Sequence, residues 1–210
     1  MKVHLVTGTG SGIGADLAAR LEARGDRVVR VTRDVVDLED TEAVRRWAGT
    51  LDEPRLDSLV HVAGTVELGT VADLDVAGWR RQLDVNLTAP AVMTGPLLPA
   101  LRAAGGTVVF VNSSAGLVAN ATWSAYAASK FGLRALADAL RAEEAEHGVR
   151  VTTIFPSRTA TPMQEKVHEQ EGRTYDASRW IRPETVTEAI LHVLDLPPDA
   201  SIPDLTIRPR

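Results

Sequence analysis

Tyr126 and Lys130 are the residues whose types and spacing most clearly suggest chemistry. They stand four apart in the stretch SAYAASK, in a chain where only three of the 23 basic side chains are lysines. On a helix, this spacing puts both side chains on one face. An ammonium beside a phenol favours the phenolate and lowers a pKa that is ordinarily about 10. Such a tyrosine exchanges a proton with a substrate oxygen as a general acid or base.

Ser113 lies 13 residues before Tyr126, at the end of the predicted strand TVVFVNSS. Ligands of open α/β sheets bind at the carboxyl ends of the strands, so its hydroxyl could hydrogen-bond the same substrate oxygen. Ser114 is the competing candidate for this role. A surface pair formed by chance is the alternative interpretation of Tyr126 and Lys130, and the position of Ser113 argues against it.

A glycine-rich loop, VTGTGSGIG, joins the first predicted strand to the first predicted helix. Glycines permit positive φ and close approach of a pyrophosphate, which free N–H groups at the helix N-terminus then hold. The strict GxGxxG spacing is absent, and the pattern is TGxxxGxG over residues 7–14. A tight turn without a ligand is the alternative, but the position between strand and helix favours a nucleotide site.

Size and composition bound the class of protein. A chain of 210 residues is expected to form a single domain over residues 1–210. The net charge of -5 argues against nucleic acid or an anionic membrane as a partner. The absence of cysteine excludes disulfides and thiol catalysis, and the five histidines lack metal-binding spacing. Without an apolar run of about 18 residues or a signal-like N-terminus, a cytoplasmic location is expected.

Short apolar runs alternate with helical patterns along the chain. The predicted strands are residues 3–6, 28–32, 59–63, 107–112, 149–155 and, as a closing edge strand, 204–208. The predicted helices are one ending at Gly25 and the windows 41–50, 76–103, 125–147 and 183–195. This alternation predicts a Rossmann-like, doubly wound α/β sheet with helices on both faces. Residues 163–182 are polar and aperiodic at their centre and are predicted to form a substrate flap.

The motifs TGxxxGIG, NSSAG and YAASK, in this order, make the chain resemble the short-chain dehydrogenase/reductase family over almost its whole length. The resemblance implies about seven mostly parallel strands and NAD(P)-dependent interconversion of a carbonyl and an alcohol. It also implies a catalytic tetrad. Tyr126 would transfer the proton, Lys130 would lower its pKa and hold the ribose, Ser113 would orient the carbonyl, and Asn86 would support a water chain to the lysine. Pairing of the long helices would give a homodimer or homotetramer.

The resemblance, together with the glycine loop, also predicts the cofactor contacts. They are Gly8, Gly10, Ser11, Gly12, Ile13, Gly14, Thr32, Arg33, Asp37, Leu38, Ala63, Gly64, Tyr126, Lys130, Pro156, Thr159 and Thr161. Three departures from the family pattern are visible. The NNAG motif appears as HVAG at residues 61–64, where His61 is expected to be structural. PG appears as Pro156-Ser157, and the helix that most relatives insert between Arg33 and Asp37 is missing.

The end of the second strand, RVVRVTRDVVD, bears on the choice of cofactor. A carboxylate there would bind the ribose 2′-hydroxyl of NAD, and an arginine would accommodate the 2′-phosphate of NADP. Counting from the glycines points to Asp34 and NAD. Alignment to the family puts Thr32 at the acidic position and Arg33 beside it, which favours NADP.

A protein with this fold but without turnover, a dinucleotide-binding regulator or scaffold, is the alternative function. The intact Ser-Tyr-Lys set argues against it, and the altered HVAG and PS motifs argue for it. The chain is too short for an extended epimerase with a C-terminal substrate domain. The substrate is not identified, although Trp123, Met163, Tyr175 and Trp180 are candidates to line an apolar pocket.

Overall fold

The computed structural model describes residues 1–210, whose centre is a single sheet of parallel strands. The strands are β1 (Val3–Thr7), β2 (Arg27–Val31), β3 (Ser58–His61), β4 (Thr107–Val111), β5 (Arg150–Pro156) and β6 (Asp204–Ile207). They are ordered β2-β1-β3-β4-β5-β6, and every neighbouring pair is parallel. The predicted doubly wound parallel sheet is confirmed.

The sheet has six strands, so the expectation of about seven is corrected. The second strand ends at Val31 and the next helix begins at Thr41. A crossover between parallel strands takes about a dozen residues or more, so residues 32–40 leave no room for another helix and strand. They form a tight turn instead, in which the Val35 and Val36 amides donate to the Thr32 carbonyl.

Seven α-helices surround the sheet. They are α1 (Gly12–Ala23), α2 (Thr41–Thr50), α3 (Val76–Leu83), α4 (Ala89–Ala104), α5 (Ser124–Glu144), α6 (Pro162–Gln170) and α7 (Pro183–Leu194). Gly25 follows α1 with φ +82°, as expected of a residue that ends a helix. No helix has the length and apolar character needed to cross a membrane.

The helix α6 was not predicted from the sequence, because it lies in the polar segment 163–182. Its start has clear signals, since Thr161 is the N-cap and Pro162 occupies the first turn. Only Gln164, Val167 and His168 of this helix are buried. Two of these three side chains are polar, so the segment lacks an apolar period that would reveal a helix.

Two apolar layers hold the helices to the sheet. Side chains alternate between the faces along each strand, as Leu5 and Val6 on β1 illustrate. Leu5 belongs to the cluster formed with α2, α4 and α5, and Val6 belongs to the cluster formed with α1 and α7. Both side chains are fully buried. The helices on both faces therefore fix the strand ends that carry the site.

A π-helical turn over Asp84–Thr88 separates α3 from α4 within the predicted helical window 76–103. Such turns insert an extra residue into a helix and are frequent at functional sites. Asn86 lies in this turn and is buried. The wide turn directs this asparagine toward the loop after β3, where its side chain makes its hydrogen bonds.

Candidate active site

A single large cavity of about 1140 Å³ opens at the carboxyl ends of β1, β3, β4 and β5. Its walls are the loops that follow these strands, the first turns of α5, and α6. Ligand cavities typically measure roughly 300–1,000 Å³, so this one has room for a large ligand and a smaller one together. Ser113, Tyr126, Lys130 and most of the glycine-loop residues lie around the same space.

The glycine loop packs so tightly that side chains are excluded at two positions. Gly8 has φ +72°, and a Cβ there would lie 2.9 Å from the Cα of Ala63. A Cβ on Gly14 would lie 2.3 Å from the Gly8 carbonyl oxygen. Of the predicted cofactor contacts in this loop, Gly8, Ser11, Gly12, Ile13 and Gly14 line the cavity, whereas Gly10 is exposed and does not.

The N-terminus of α1 faces this cavity with free amides. Ser11 occupies the N-cap position, and its side chain makes no capping hydrogen bond. The first N–H groups of a helix have no intrahelical partner, and together with the helix dipole they attract an anion. The loop can therefore hold a pyrophosphate by main-chain donors, which is the property that a dinucleotide requires.

The Thr7 hydroxyl connects the ends of β1 and β3. It accepts hydrogen bonds from the backbone amides of Val62 and Ala63, both at 3.1 Å. These bonds fix Ala63 and Gly64 on the cavity wall although HVAG lacks the asparagine of the family motif. His61 points away from the cavity, stacks on Phe110 at 5.1 Å and contacts the Thr94 hydroxyl at 3.0 Å. Burial lowers the pKa of His61 to about 3, which keeps its ring neutral.

Ser113 and Tyr126 meet on the cavity wall. Ser113 is the residue after Asn112 at the end of β4, and Tyr126 lies in the first turn of α5. Tyr126 is 7% exposed, and both residues line the cavity. Ser114 also lines the cavity, but of the two serines only Ser113 acts on the pKa of the phenol, in the lowering direction. This favours Ser113 over Ser114 as the partner of Tyr126, and its catalytic role stays a prediction.

The pKa of the Tyr126 phenol differs from the expectation. Burial raises the pKa of Tyr126, and the hydrogen bond from Ser113 opposes that effect only in part. The Lys130 ammonium lies 5.7 Å from the phenol ring centroid and does not lower the phenol's pKa in the free protein. The prediction of a lowered phenol pKa is therefore corrected, because removal from water penalises the phenolate.

The Lys130 ammonium is buried, which costs free energy because the charge is removed from water. Its side chain is 3% exposed, and its Nζ donates to the Val111 carbonyl at 3.1 Å. Burial lowers the pKa of Lys130 to about 8. One of the three ammonium donors is used by Val111, so two remain for a ligand.

Asn86 lies behind the cavity wall and not on it. Its Nδ2 donates to the Thr65 carbonyl at 2.9 Å and to the Ser129 hydroxyl at 3.0 Å, and its Oδ1 accepts from the Thr65 amide at 2.8 Å. A Cβ on Gly64 would lie 3.2 Å from Asn86 Oδ1 and 3.8 Å from Lys130 Nζ. Asn86 and Lys130 thus both lie close to Gly64.

Two positioning residues were missed from the sequence. Asn112 donates to the Lys130 carbonyl at 3.0 Å and accepts from the Ser113 amide at 2.8 Å, which ties β4 to α5. Ser129 joins Asn86 to α5 by donating to the Tyr126 carbonyl at 2.7 Å. The signal for Asn112 was its position: a polar residue that directly ends an apolar strand and precedes a candidate catalytic serine.

The loop after β5 completes the cavity wall. Its predicted cofactor contacts, Pro156, Thr159 and Thr161, all line the cavity. A Cβ on Gly12 would lie 3.1 Å from the Thr161 methyl group, so the glycine loop and the start of α6 meet here. Of the apolar candidates, Trp123, Met163 and Trp180 line the cavity, whereas Tyr175 packs on His168 at 5.3 Å outside it.

The residues predicted to bind the adenosine end of the cofactor lie on an exposed edge outside the cavity. They are Thr32, Arg33, Asp37 and Leu38. Arg33 is 75% exposed and pairs with Glu39 at 3.4 Å and with Asp37 at 4.0 Å. Exposed pairs of this kind contribute roughly 0–1 kcal/mol, so a ligand can displace them. Asp34 is exposed beside Arg33, so the geometry alone leaves both cofactors possible.

These features fit a nicotinamide dinucleotide. The backbone cradle at Gly8 and Gly14 excludes side chains, the α1 amides are free, and the cavity continues past Ala63 to Tyr126 and Lys130. A pyrophosphate at the glycine loop would leave one end of the ligand near Tyr126. Lys130 retains ammonium donors that suit ribose hydroxyls.

Comparison with known proteins agrees with this geometry. The family model described as "short chain dehydrogenase" matches residues 33–172. Trans-4-hydroxycyclohexanecarboxylate dehydrogenase of Sinomonas cyclohexanicum is 32% identical over 191 residues, which is 77% of this chain and 74% of the relative.

Solved structures share the fold at low identity. An alcohol dehydrogenase from the archaeon Thermococcus sibiricus, complexed with 5-hydroxy-NADP, has a TM-score of 0.84 at 20% identity and covers 100% of this chain and 97% of that chain. A 4-hydroxyisoleucine dehydrogenase complexed with NADH has a TM-score of 0.85 at 22% identity and covers 99% and 97%. With a family match over more than half of its length, the chain belongs to the short-chain dehydrogenase family and is an NAD(P)-dependent dehydrogenase/reductase.

Proposed function

We propose that this enzyme uses NADP(H) to interconvert a small carbonyl compound and the corresponding alcohol, with Tyr126 as proton donor and acceptor. The observation that carries the proposal is the arrangement around one cavity: Ser113, Tyr126 and Lys130 border the same space as the glycine loop. Nicotinamide, when bound, supplies or accepts the hydride. The protein's own groups must then orient the substrate oxygen and move one proton.

Tyr126 is the proposed source of that proton in the direction of reduction. Because burial raises its pKa, the phenol is protonated near neutral pH, which is the form that an acid catalyst requires. The Ser113 hydroxyl, which borders the same cavity, would donate to the same substrate oxygen and orient it. In the oxidation direction Tyr126 must first lose its proton, so the free site favours carbonyl reduction.

Lys130 is proposed to act in two ways at one point. The Val111 carbonyl accepts one of the three ammonium N–H donors of Lys130. The other two are proposed to bind a ribose hydroxyl and to favour the phenolate of Tyr126 when it forms. Asn86 is proposed to position this part of the site, because it holds Thr65 and Ser129 and lies beside Gly64 next to the ammonium.

NADP is the proposed cofactor on the evidence of the β2 edge. Thr32 supplies no carboxylate for a ribose 2′-hydroxyl, and Arg33 offers a planar fork of donors that suits a phosphate. Its present partners, Asp37 and Glu39, are exposed and therefore displaceable. Asp37 and Leu38 are proposed to border the adenine.

The relative from Sinomonas acts, by its name, on a secondary alcohol in a carbocyclic acid. A substrate of comparable size, a cyclic or short-chain secondary alcohol or its ketone, is proposed for this enzyme. The flap proposed for residues 163–182 would cover it, because Met163, Val167 and Trp180 line the same cavity.

The reaction is tested by following NADPH absorbance while the purified protein is offered ketones, aldehydes and quinones. Oxidation of NADPH that requires both the protein and a carbonyl, with the alcohol as product, supports the proposal. Binding of NADPH without turnover on any member of the panel contradicts it and favours the regulator that the sequence left open.

An oligomer is also proposed, in line with the expected pairing of α4 and α5. Phe131 lies on α5 and is 42% exposed, so a second copy of the chain packed on this helix would cover its ring. Sedimentation of the wild type and of Phe131→Ser tests this proposal. A wild type that sediments as a monomer at micromolar concentration contradicts it.

A further inference from the structure

Arg158 lies on the cavity wall in contact with two tryptophan rings. It follows β5, and its guanidinium stacks over Trp123 at 5.8 Å and over Trp180 at 5.4 Å from the ring centroids. All three residues line the cavity. Contact with two aromatic faces stabilises the cation and fixes the plane of its donors. Neither the glycine loop nor the proposed proton transfer uses this arginine.

Glu171 occupies only part of the hydrogen-bonding capacity of Arg158. Its two carboxylate oxygens accept from the two terminal nitrogens, at 2.9 and 2.5 Å. The hydrogen bond to Arg158 holds the pKa of Glu171 low, so the pair is ionised. A guanidinium has five N–H donors, and the Arg158 Nε–H donates to no protein acceptor. Arg158 therefore keeps N–H donors for a ligand beyond those that pair with Glu171.

The surroundings of Arg158 add further positive charge. Arg173 lies 3.9 Å from Glu171 and also borders the cavity. A second cavity of about 370 Å³ adjoins the first and is lined by Arg158, Arg173 and Arg179. The carboxylate in its wall, Asp176, already accepts from the Ser178 amide and hydroxyl. Cationic side chains thus outnumber the anionic ones at this end.

Trp123 connects this end of the cavity to the proposed proton donor. Its indole meets the Tyr126 ring edge-on at 5.6 Å, and its face carries Arg158. A molecule whose carbonyl reaches Tyr126 and whose body lies along Trp123 would extend to Arg158. The two ends of such a molecule are separated by the width of an indole and hence by several bonds.

We propose that Arg158 determines substrate specificity by binding a carboxylate of the substrate, several bonds from the carbonyl that is reduced. The free edge of a guanidinium presents two parallel N–H donors, which match the two oxygens of a carboxylate. The indole faces of Trp123 and Trp180 suit the carbon body between the two groups. The inference rests on the proposed function, because it takes Tyr126 as the point that the carbonyl reaches.

A matched pair of ketones, para-acetylbenzoate and its methyl ester, tests this inference, because methylation at the far end removes the charge and leaves the ketone unchanged. The wild type is expected to reduce the acid with the higher kcat/KM. Arg158→Met is expected to lower kcat/KM for the acid by about 10- to 100-fold, the loss typical of a charge-assisted hydrogen bond, while the ester changes little. Arg134→Met is the control, because Arg134 also stacks on an aromatic ring, Phe155, but lies outside both cavities.

Equal preference for acid and ester in the wild type overturns the inference, as does an equal loss on both ketones in Arg158→Met. Loss of Arg158 leaves Glu171 with only the more distant Arg173 as an ionic partner, so the double variant Arg158→Met/Glu171→Gln is measured as well. It removes both charges and is expected to keep activity on the ester while it loses the preference for the acid.

Binding of a carboxylate that cannot be reduced separates this inference from the proposed function. Benzoate, observed by ligand-detected NMR in the presence of NADPH, is expected to bind the wild type, and methyl benzoate is not. Benzoate binding that Arg158→Met abolishes supports the inference even if the wild type reduces neither ketone, a result that would contradict only the proposed function. No binding of benzoate to the wild type contradicts the inference even if the ester is reduced.

Discussion

Replacement of Lys130 by methionine is expected to stabilise the free protein near neutral pH while it impairs the enzyme. The lysine is 3% exposed, and burial lowers its pKa from 10.5 to about 8. A methionine has a similar length and no charge to remove from water. A residue retained for chemistry therefore carries a measurable cost in folding stability.

The magnitude follows from the shift in pKa. Below pH 8 both the folded and the unfolded chain bind the lysine proton, and the cost is fully present: at about 1.4 kcal/mol per pKa unit it amounts to about 3 kcal/mol. Between pH 8 and 10.5 the unfolded chain still binds the proton and the folded one does not, so the wild type gains stability as pH rises. Loss of the hydrogen bond to Val111 offsets about 1 kcal/mol.

Urea unfolding of both proteins without cofactor measures this difference. Lys130→Met is expected to be more stable by about 2 kcal/mol at about pH 7, and this advantage should vanish at about pH 10. A variant that is no more stable than the wild type at pH 7, or an advantage that is the same at both pH values, would refute the reasoning. The second result would mean that packing, and not the buried charge, sets the difference.

Three further predictions concern the cofactor site. Lys130→Arg is expected to restore neither full rate nor full NADPH affinity, because a planar fork cannot occupy the place of a compact ammonium. Arg33→Ala is expected to weaken NADPH binding by about tenfold or more and to leave NADH binding almost unchanged, and the loss should be smaller at high salt. If Asp34 instead binds the ribose of NAD, Asp34→Ala should lower the affinity for NADH selectively. Gly14→Ala is expected to abolish cofactor binding, because its Cβ would lie 2.3 Å from the Gly8 carbonyl, whereas Gly10→Ala meets nothing within 4 Å and should bind normally.

Fluorescence titration with NADPH and NADH reads out all of these variants, and turnover is measured where binding survives. Full activity of Lys130→Arg contradicts the claim that only a compact ammonium fits at this position. Unchanged NADPH affinity in Arg33→Ala moves the preference to NAD and Asp34. Equal effects of the two glycine substitutions contradict the tight packing of the loop.

Local patterns sufficed to predict most of the fold. The strands are short runs of buried apolar residues, which parallel sheets require on both faces, so the predicted runs lie on the observed strands. The window 41–50 coincides with α2. The expected count of about seven strands came from the resemblance and was wrong, although the short connection after Arg33 already indicated the missing crossover.

The tertiary contacts explain what the sequence could not reveal. Motif spacing located Ser113, Tyr126 and Lys130, which do border one cavity. The raised pKa of Tyr126 depends on how deeply α5 buries the phenol, and no pattern of residues reports burial of that kind. The pairing of Arg158 with Glu171 joins residues 13 positions apart across a loop and a helix, so neither residue type nor spacing indicated it.

Turnover and cofactor binding of Tyr126→Phe, measured on one preparation with NADPH and a carbonyl that the wild type reduces, test the central claim most directly. The substitution removes only the phenolic oxygen, which is the proposed proton donor. The account predicts that kcat falls by more than about tenfold, a loss above about 1.4 kcal/mol in transition-state stabilisation, while NADPH affinity changes little. A variant that keeps more than about a tenth of the wild-type kcat would contradict the assignment of Tyr126 as the acid.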